Sequence, residues 1–149
     1  MDIMAKKIVR KSRVEKPFNH GTLSQAGFFG SIRAALRSHS RWWKPIAACK
    51  ANAKRPYKGP NKLQKYEYQC NLCKSFFSEK EIAVDHIVEA GSLKTYEDLA
   101  GFVERLFCEV DGFQILCNKR KDGKESCHTT KTQAYMKEQK EKVKKTLPK

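Results

Sequence analysis

The stretch Tyr66-Glu67-Tyr68-Gln69-Cys70-Asn71-Leu72-Cys73 joins a short alternating run to two closely spaced cysteines. The alternation of Tyr66 and Tyr68 is that of a half-buried strand. Two residues between cysteines is the spacing of half a thiolate zinc site. Cys117 and Cys127 are the only other pair positioned to complete it; nine residues lie between them, and 43 separate Cys73 from Cys117. Tetrahedral zinc takes soft ligands at about 2.3 Å, and four protein ligands leave no open position for water or substrate. The expected role of Zn2+ held by Cys70, Cys73, Cys117 and Cys127 is therefore structural. Cys49 and Cys108 have no close cysteine neighbour and read as ordinary buried thiols.

Between the cysteine pairs, Ile82, Val84 and Ile87 flank Asp85-His86 in a strand-like run. Thr95, with Asp98 three residues on, resembles a capping box, and Leu99, Phe102, Val103, Leu106 and Phe107 recur at helical spacing, which predicts an amphipathic helix over Thr95–Phe107. Phe113, Ile115 and Leu116 make a further short strand. From about Cys127 to Val143 the chain is rich in Lys, Glu, Gln and Ala and predicts a final helix, with frayed basic residues after it.

Upstream, residues 1–21 hold few apolar positions among many Lys and Arg and read as disordered or loosely attached. Phe28, Ile32, Ala35 and Leu36 form the stripe of a helix ending near His39, and Pro45 opens a second helix. Pro56-Tyr57-Lys58-Gly59-Pro60 ends that helix and reads as a linker. The expected organisation is a basic, two-helix arm over residues 1–65, followed by the segment 66–149 that carries the metal-ligand residues.

At 149 residues the chain is long enough for one modest domain. Its net charge of +15 is unevenly spread. Residues 1–65 hold sixteen basic and two acidic residues (+14), 66–116 hold four and ten (−6), and 117–149 hold eleven and four (+7). Basic flanks around an acidic centre suit a polyanion gripped at the edges and cations held in the middle. Arg33, Arg37, Arg41 and Lys44, beside Trp42 and Trp43, are the candidate DNA-binding cations of the arm. No apolar stretch approaches the ~20 residues that cross a bilayer, and Met1–Lys16 lacks the apolar core of a secretory signal. A cytoplasmic protein is expected, in a reducing compartment that favours metal-bound thiols over disulfides.

The order of motifs is specific in combination. Asp85-His86-Ile87 on a strand lies between the cysteine pairs, and Cys127-His128-Thr129-Thr130-Lys131-Thr132 opens a helix. Over roughly residues 66–135 the chain resembles the HNH, or ββα-metal, endonuclease family. In small size and basic helical arm it is similar to phage-encoded free-standing members, whose place would be the host cytoplasm. The resemblance implies an α+β fold with a ββα-metal core, the structural four-cysteine zinc site and the basic N-terminal helical arm. It implies that His86 is the general base acting on water, and that Asp85 and His128 hold one catalytic divalent metal, Mg2+ or Mn2+ or another transition metal. Lys131 matches a lysine common after the family's last His and implies a phosphate contact. The family's middle Asn aligns with Gly112, and Asn118–Ser126 is longer than the family's usual two residues. That insertion reads as a DNA-contacting loop or a solvated excursion.

The expected function is a divalent-metal-dependent endonuclease hydrolysing phosphodiester bonds in double-stranded DNA, with no small-molecule cofactor and no membrane partner. The alternative is a non-catalytic or degenerate zinc-containing nucleic-acid-binding module. Asp85, His86 and His128 separate the two, because a pure binding module has no need of an Asp-His pair and a further His beside the zinc ligands.

Overall fold

Ser24 starts the first helix by chemistry rather than by apolar pattern: its hydroxyl accepts the Gly27 N–H at 3.2 Å and satisfies one of the helix's orphan donors. The computed structural model describes residues 13–146, and those residues form an α+β fold of four helices and two small antiparallel sheets. Helix α1 spans Gln25–Ser40 and α2 spans Lys44–Ala53, with Pro45 in its first turn. Strands β1 (Lys54–Pro56), β2 (Tyr66–Gln69) and β3 (Phe76–Phe77) make one sheet in that order. Strands β4 (Ile82–His86) and β5 (Phe113–Cys117) make the other, and α3 (Glu97–Leu106) lies in the connection between them. Helix α4 spans Cys127–Thr146. None of these helices is long and apolar enough to cross a membrane.

The predicted helix over Thr95–Phe107 forms as Glu97–Leu106, and the Asp98 carboxylate reaches back to the N–H groups of Lys94 and Thr95 at 2.9 and 3.1 Å. Its apolar face meets α1 in one core cluster, where Phe29, Leu93, Phe102 and Leu106 are buried and Phe28, Ile32 and Leu36 pack against them. Ala35, expected on that stripe, is exposed, and Phe29 stands in the core instead. The stripe has rotated toward Phe29 because the larger ring gains more from burial. Residues 1–12 of the segment expected to be loosely attached lie outside the described residues; within its remainder, Phe18 stacks on Phe28 with ring centroids 4.3 Å apart.

A second cluster joins the arm to the segment that carries β4 and β5. Cys49, Tyr68, Ile82, Phe113 and Ile115 are buried together, with Trp43, Ile46 and Ala53 of the first 65 residues against them. Trp43 Nε1–H donates to the Cys108 carbonyl at 2.7 Å, while Trp42 is 84% exposed. The linker expected at Pro56–Pro60 is instead the start of a hairpin loop. Pro56 pairs with Tyr66 and Lys54 with Tyr68, and the Tyr57 N–H continues the pairing to the Lys65 carbonyl at 3.0 Å. Proline is admitted because β1 is an edge strand, where its missing donor costs no ladder bond.

Candidate functional site

Two centres are built on the β4–β5 pair, one at each end. At the Cys117 end, the side-chain sulfurs of Cys70, Cys73, Cys117 and Cys127 all lie within 4.8 Å of one another. Sulfurs at about 2.3 Å from a tetrahedral zinc are roughly 3.8 Å apart, so this set can close on such an ion with little movement. The first turn is locked to β5 by Asn71, whose N–H donates to the Ile115 carbonyl at 2.8 Å and whose Oδ1 accepts the Ile115 N–H at 3.0 Å. Lys74 takes a left-handed backbone (φ 60°) just after it, and the Lys74 N–H returns to the Cys70 carbonyl. The second turn is set by Ser126, 6% exposed, whose hydroxyl accepts the Thr129 N–H and caps the start of α4. Backbone N–H groups already point at sulfur, Cys117 to Cys70 Sγ at 3.4 Å and Cys127 to Cys117 Sγ at 3.3 Å.

The thiols divide in their acidity. Burial opposes the Cys73 thiolate, but hydrogen bonds from Ser75 and the adjoining cysteines outweigh it and bring its pKa down to about 7. Burial, then the neighbouring thiols, push Cys127 up to about 12, and burial raises Cys117 as well. Burial opposes the thiolates of Cys117 and Cys127, and a bound cation would offset that cost, which is the ligand chemistry of zinc.

At the other end of β4, the register sets Asp85 opposite Gln114 and His86 opposite Phe113. Asp85 turns toward α4, where its Oδ1 lies 4.0 Å from His128 Nε2. Its Oδ2 accepts from Lys131 Nζ at 2.6 Å and from Gln114 Nε2 at 3.4 Å. A carboxylate facing an imidazole across this distance can hold one divalent ion between them with a modest closing movement, and two protein ligands leave the remaining positions to water and phosphate. Lys131 also donates to the His86 carbonyl and, at 2.8 Å, to Glu89. Burial alone would lower its pKa, but the hydrogen bonds and charges of Asp85 and Glu89 overcome that and raise it. The lysine expected at a phosphate is therefore turned inward onto two carboxylates.

His86 is held from behind. Its Nε2 lies 3.0 Å from the Leu106 carbonyl, and its ring packs at 4.7 Å from Phe113. A carbonyl only accepts, so Nε2 carries the proton and Nδ1 keeps the basic lone pair. The Leu106 carbonyl is free for this because α3 ends there. Gly112 does not substitute for an orienting Asn by side chain; its carbonyl accepts the Ile87 N–H at 2.9 Å and fixes the chain just past His86. A Cβ at position 112 would sit 2.5 Å from Cys108 Sγ and 2.8 Å from Cys108 Cβ, so no larger residue fits without displacing that turn. Gly112→Ala is expected to lower stability by about 1–3 kcal/mol, the cost of overpacking. Thermal melts read this out, and an unshifted Tm would mean the turn yields freely.

The structure thus gathers Asp85, His128 and Lys131 into one site, with His86 beside it through its carbonyl. Glu89, Gln114 and the Leu106 carbonyl are further members that residue patterns alone did not indicate. Gln114 becomes visible only once the register is known, and a backbone carbonyl leaves no trace in residue identity. The loop carrying Glu89 is fastened by Arg105, whose Nε donates to the Ala90 carbonyl at 3.1 Å. Arg33, Arg37, Arg41 and Lys44 are exposed on α1 and the α1–α2 junction. In the Asn118–Ser126 insertion, Arg120 is paired with Asp122, through hydrogen bonds of 3.0 and 2.5 Å, and Lys121 reaches Glu81 at 3.5 Å. Arg120 is thereby tied to a carboxylate, while the Lys121 side chain stays 90% exposed. Comparison with protein-family models, with curated proteins and with solved structures gave no match to this chain.

Proposed function

We propose that this chain is a divalent-metal-dependent endonuclease of the HNH kind that hydrolyses phosphodiester bonds in double-stranded DNA. The observation that carries the reading is the meeting of strand-borne Asp85 with helix-borne His128 at 4.0 Å, one residue along β4 from a His86 whose Nε2 is occupied by a carbonyl. Two antiparallel strands with a helix starting across their end, stapled by four cysteines, are the arrangement the family resemblance calls for. In this reading Asp85 and His128 hold the divalent cation, which supplies charge neutralisation at the phosphate and the leaving oxygen. His86 presents Nδ1 to the attacking water and takes its proton, and the Leu106 carbonyl stabilises the imidazolium that results. Exposed Arg33, Arg37, Arg41 and Lys44 contribute sequence-independent contacts to the DNA backbone.

One observation favours the binding-module alternative: Lys131 sits on the same carboxylate that the catalytic metal requires. A plasmid-nicking assay decides between them. With Mg2+ or Mn2+ the wild type is expected to nick supercoiled DNA, and His86→Ala to lower the rate by about 10²–10⁴, the usual worth of a positioned general base. DNA affinity should change little, because the base acts on water and not on bound DNA. Wild-type rates from His86→Ala would remove the proposed base, and no nicking with any divalent metal would leave a zinc-containing nucleic-acid-binding module.

A further inference from the structure

Lys131 lies one helical turn beyond His128 on α4, and its ammonium is held by Asp85 Oδ2 at 2.6 Å, Glu89 Oε1 at 2.8 Å and the His86 carbonyl. Two carboxylates and a carbonyl around one positive charge form the donor set of a hard-cation site. The lysine side chain is 21% exposed, whereas His128 is 41% exposed at the mouth of the same site. Asp85 is shared between them, Oδ2 to the lysine and Oδ1 toward the imidazole.

Resting on the nuclease reading above, we propose that Lys131 is a built-in counter-ion of the metal site: it competes with the divalent cation for Asp85 and Glu89, and yields them when a DNA phosphate draws its ammonium away. Glu89 then becomes available as a further oxygen donor toward the metal. The flexible four-carbon stem of lysine allows such an exchange without moving α4, which an arginine fork bound to the same oxygens would resist. A monovalent and a divalent cation on one carboxylate repel each other, and this outweighs the orienting value of a single hydrogen bond from Lys131 to Asp85. Removing the ammonium should therefore tighten metal binding, the opposite of what a purely orienting lysine would give. Linkage requires reciprocity: if DNA tightens metal binding through Lys131, metal tightens DNA binding by the same factor.

The test measures Mn2+ binding by electron paramagnetic resonance on the full-length, zinc-supplied protein in a His86→Ala background, so that DNA stays intact. Without DNA, Lys131→Met is expected to bind Mn2+ about 10-fold more tightly than its parent, within the range of ordinary coupling energies. Adding a duplex oligonucleotide should tighten Mn2+ binding in both proteins, because phosphate joins the metal, but by about 10-fold more when Lys131 is present than when it is Met. Lys131→Gln, which keeps a donor but no charge, should behave like Met and guards against a variant that packs poorly. Equal or weaker Mn2+ affinity in both variants, with binding still lost on Asp85→Asn, overturns the counter-ion role and leaves the nuclease reading standing. Mn2+ binding that is insensitive to Asp85→Asn in every variant overturns both.

Discussion

Cys117→Ala is expected to abolish the cooperative thermal transition of the whole protein, because Cys117 is at once the last residue of β5, fully buried, and a member of the four-sulfur cluster. Apparent zinc-binding energies in such sites are on the order of 10 kcal/mol, as large as the entire stability of a typical small domain. A metal held by the four sulfurs would also close the 43 residues between Cys73 and Cys117, the segment that contains β4, α3 and most of β5. A strong chelator on the wild type should reproduce the loss, and native mass spectrometry should find about one zinc per chain. Cys49→Ala is the control, since that thiol is buried in the second core cluster away from the four sulfurs, and it should cost only about 1–2 kcal/mol. A wild-type protein that melts cooperatively without zinc would show that the core alone sustains the fold.

Where residue type itself carries the information, the sequence reading agrees with the structure. The Cys70–Cys73 spacing can bring only two sulfurs together, and the Cys117–Cys127 pair converges with it. Helix α3 follows from its apolar spacing and the acid that reaches back over its first turn. What escaped depends on partners that local pattern does not encode. Strand β1 is three residues long; Lys54 and Arg55 read as the end of the second helix and Pro56 as the start of a linker, and only the Tyr66–Tyr68 partner makes the three a strand. Phe29 lies one position off the predicted stripe of α1, and the choice between it and Ala35 is made by α3 across the core. Asp85, His86 and His128 are legible in the sequence as candidates, and the structure brings Asp85 and His128 to 4.0 Å, but the direction of Lys131 is not legible. A lysine three residues after His128 faces the same way as that histidine, and whether it meets phosphate or carboxylate depends on where β4 ends and the Glu89 loop turns.

Removing residues 1–65 is expected to unfold the remainder rather than release a self-standing domain, even though the charge distribution alone invites the opposite expectation. The deletion takes Phe29, Phe28, Ile32 and Leu36 from the core around α3, and Trp43, Ile46 and Cys49 from the core beneath β4 and β5. It also takes β1, leaving β2 an exposed edge. Each large apolar side chain contributes about 1.5–3 kcal/mol when buried, so the combined loss reaches the ~5–15 kcal/mol by which domains are stable. Circular dichroism of residues 66–149 with zinc should therefore show no cooperative melt, and an intact transition would mean that the staple alone organises this segment. The proposed DNA affinity has to be separated from folding by charge instead. Arg33, Arg37, Arg41 and Lys44 are all exposed, with Arg37 also lying 5.7 Å over the Phe102 ring, so replacing the four by Gln should cost the fold no more than about 1 kcal/mol. For every phosphate that is no longer neutralised, the dependence of log affinity on log salt falls by roughly 0.9, so a fourfold variant should flatten the slope by up to about 3.6. A slope unchanged in that variant would move the DNA-binding surface away from α1 and α2, toward the lysines of α4 and Asn118–Ser126.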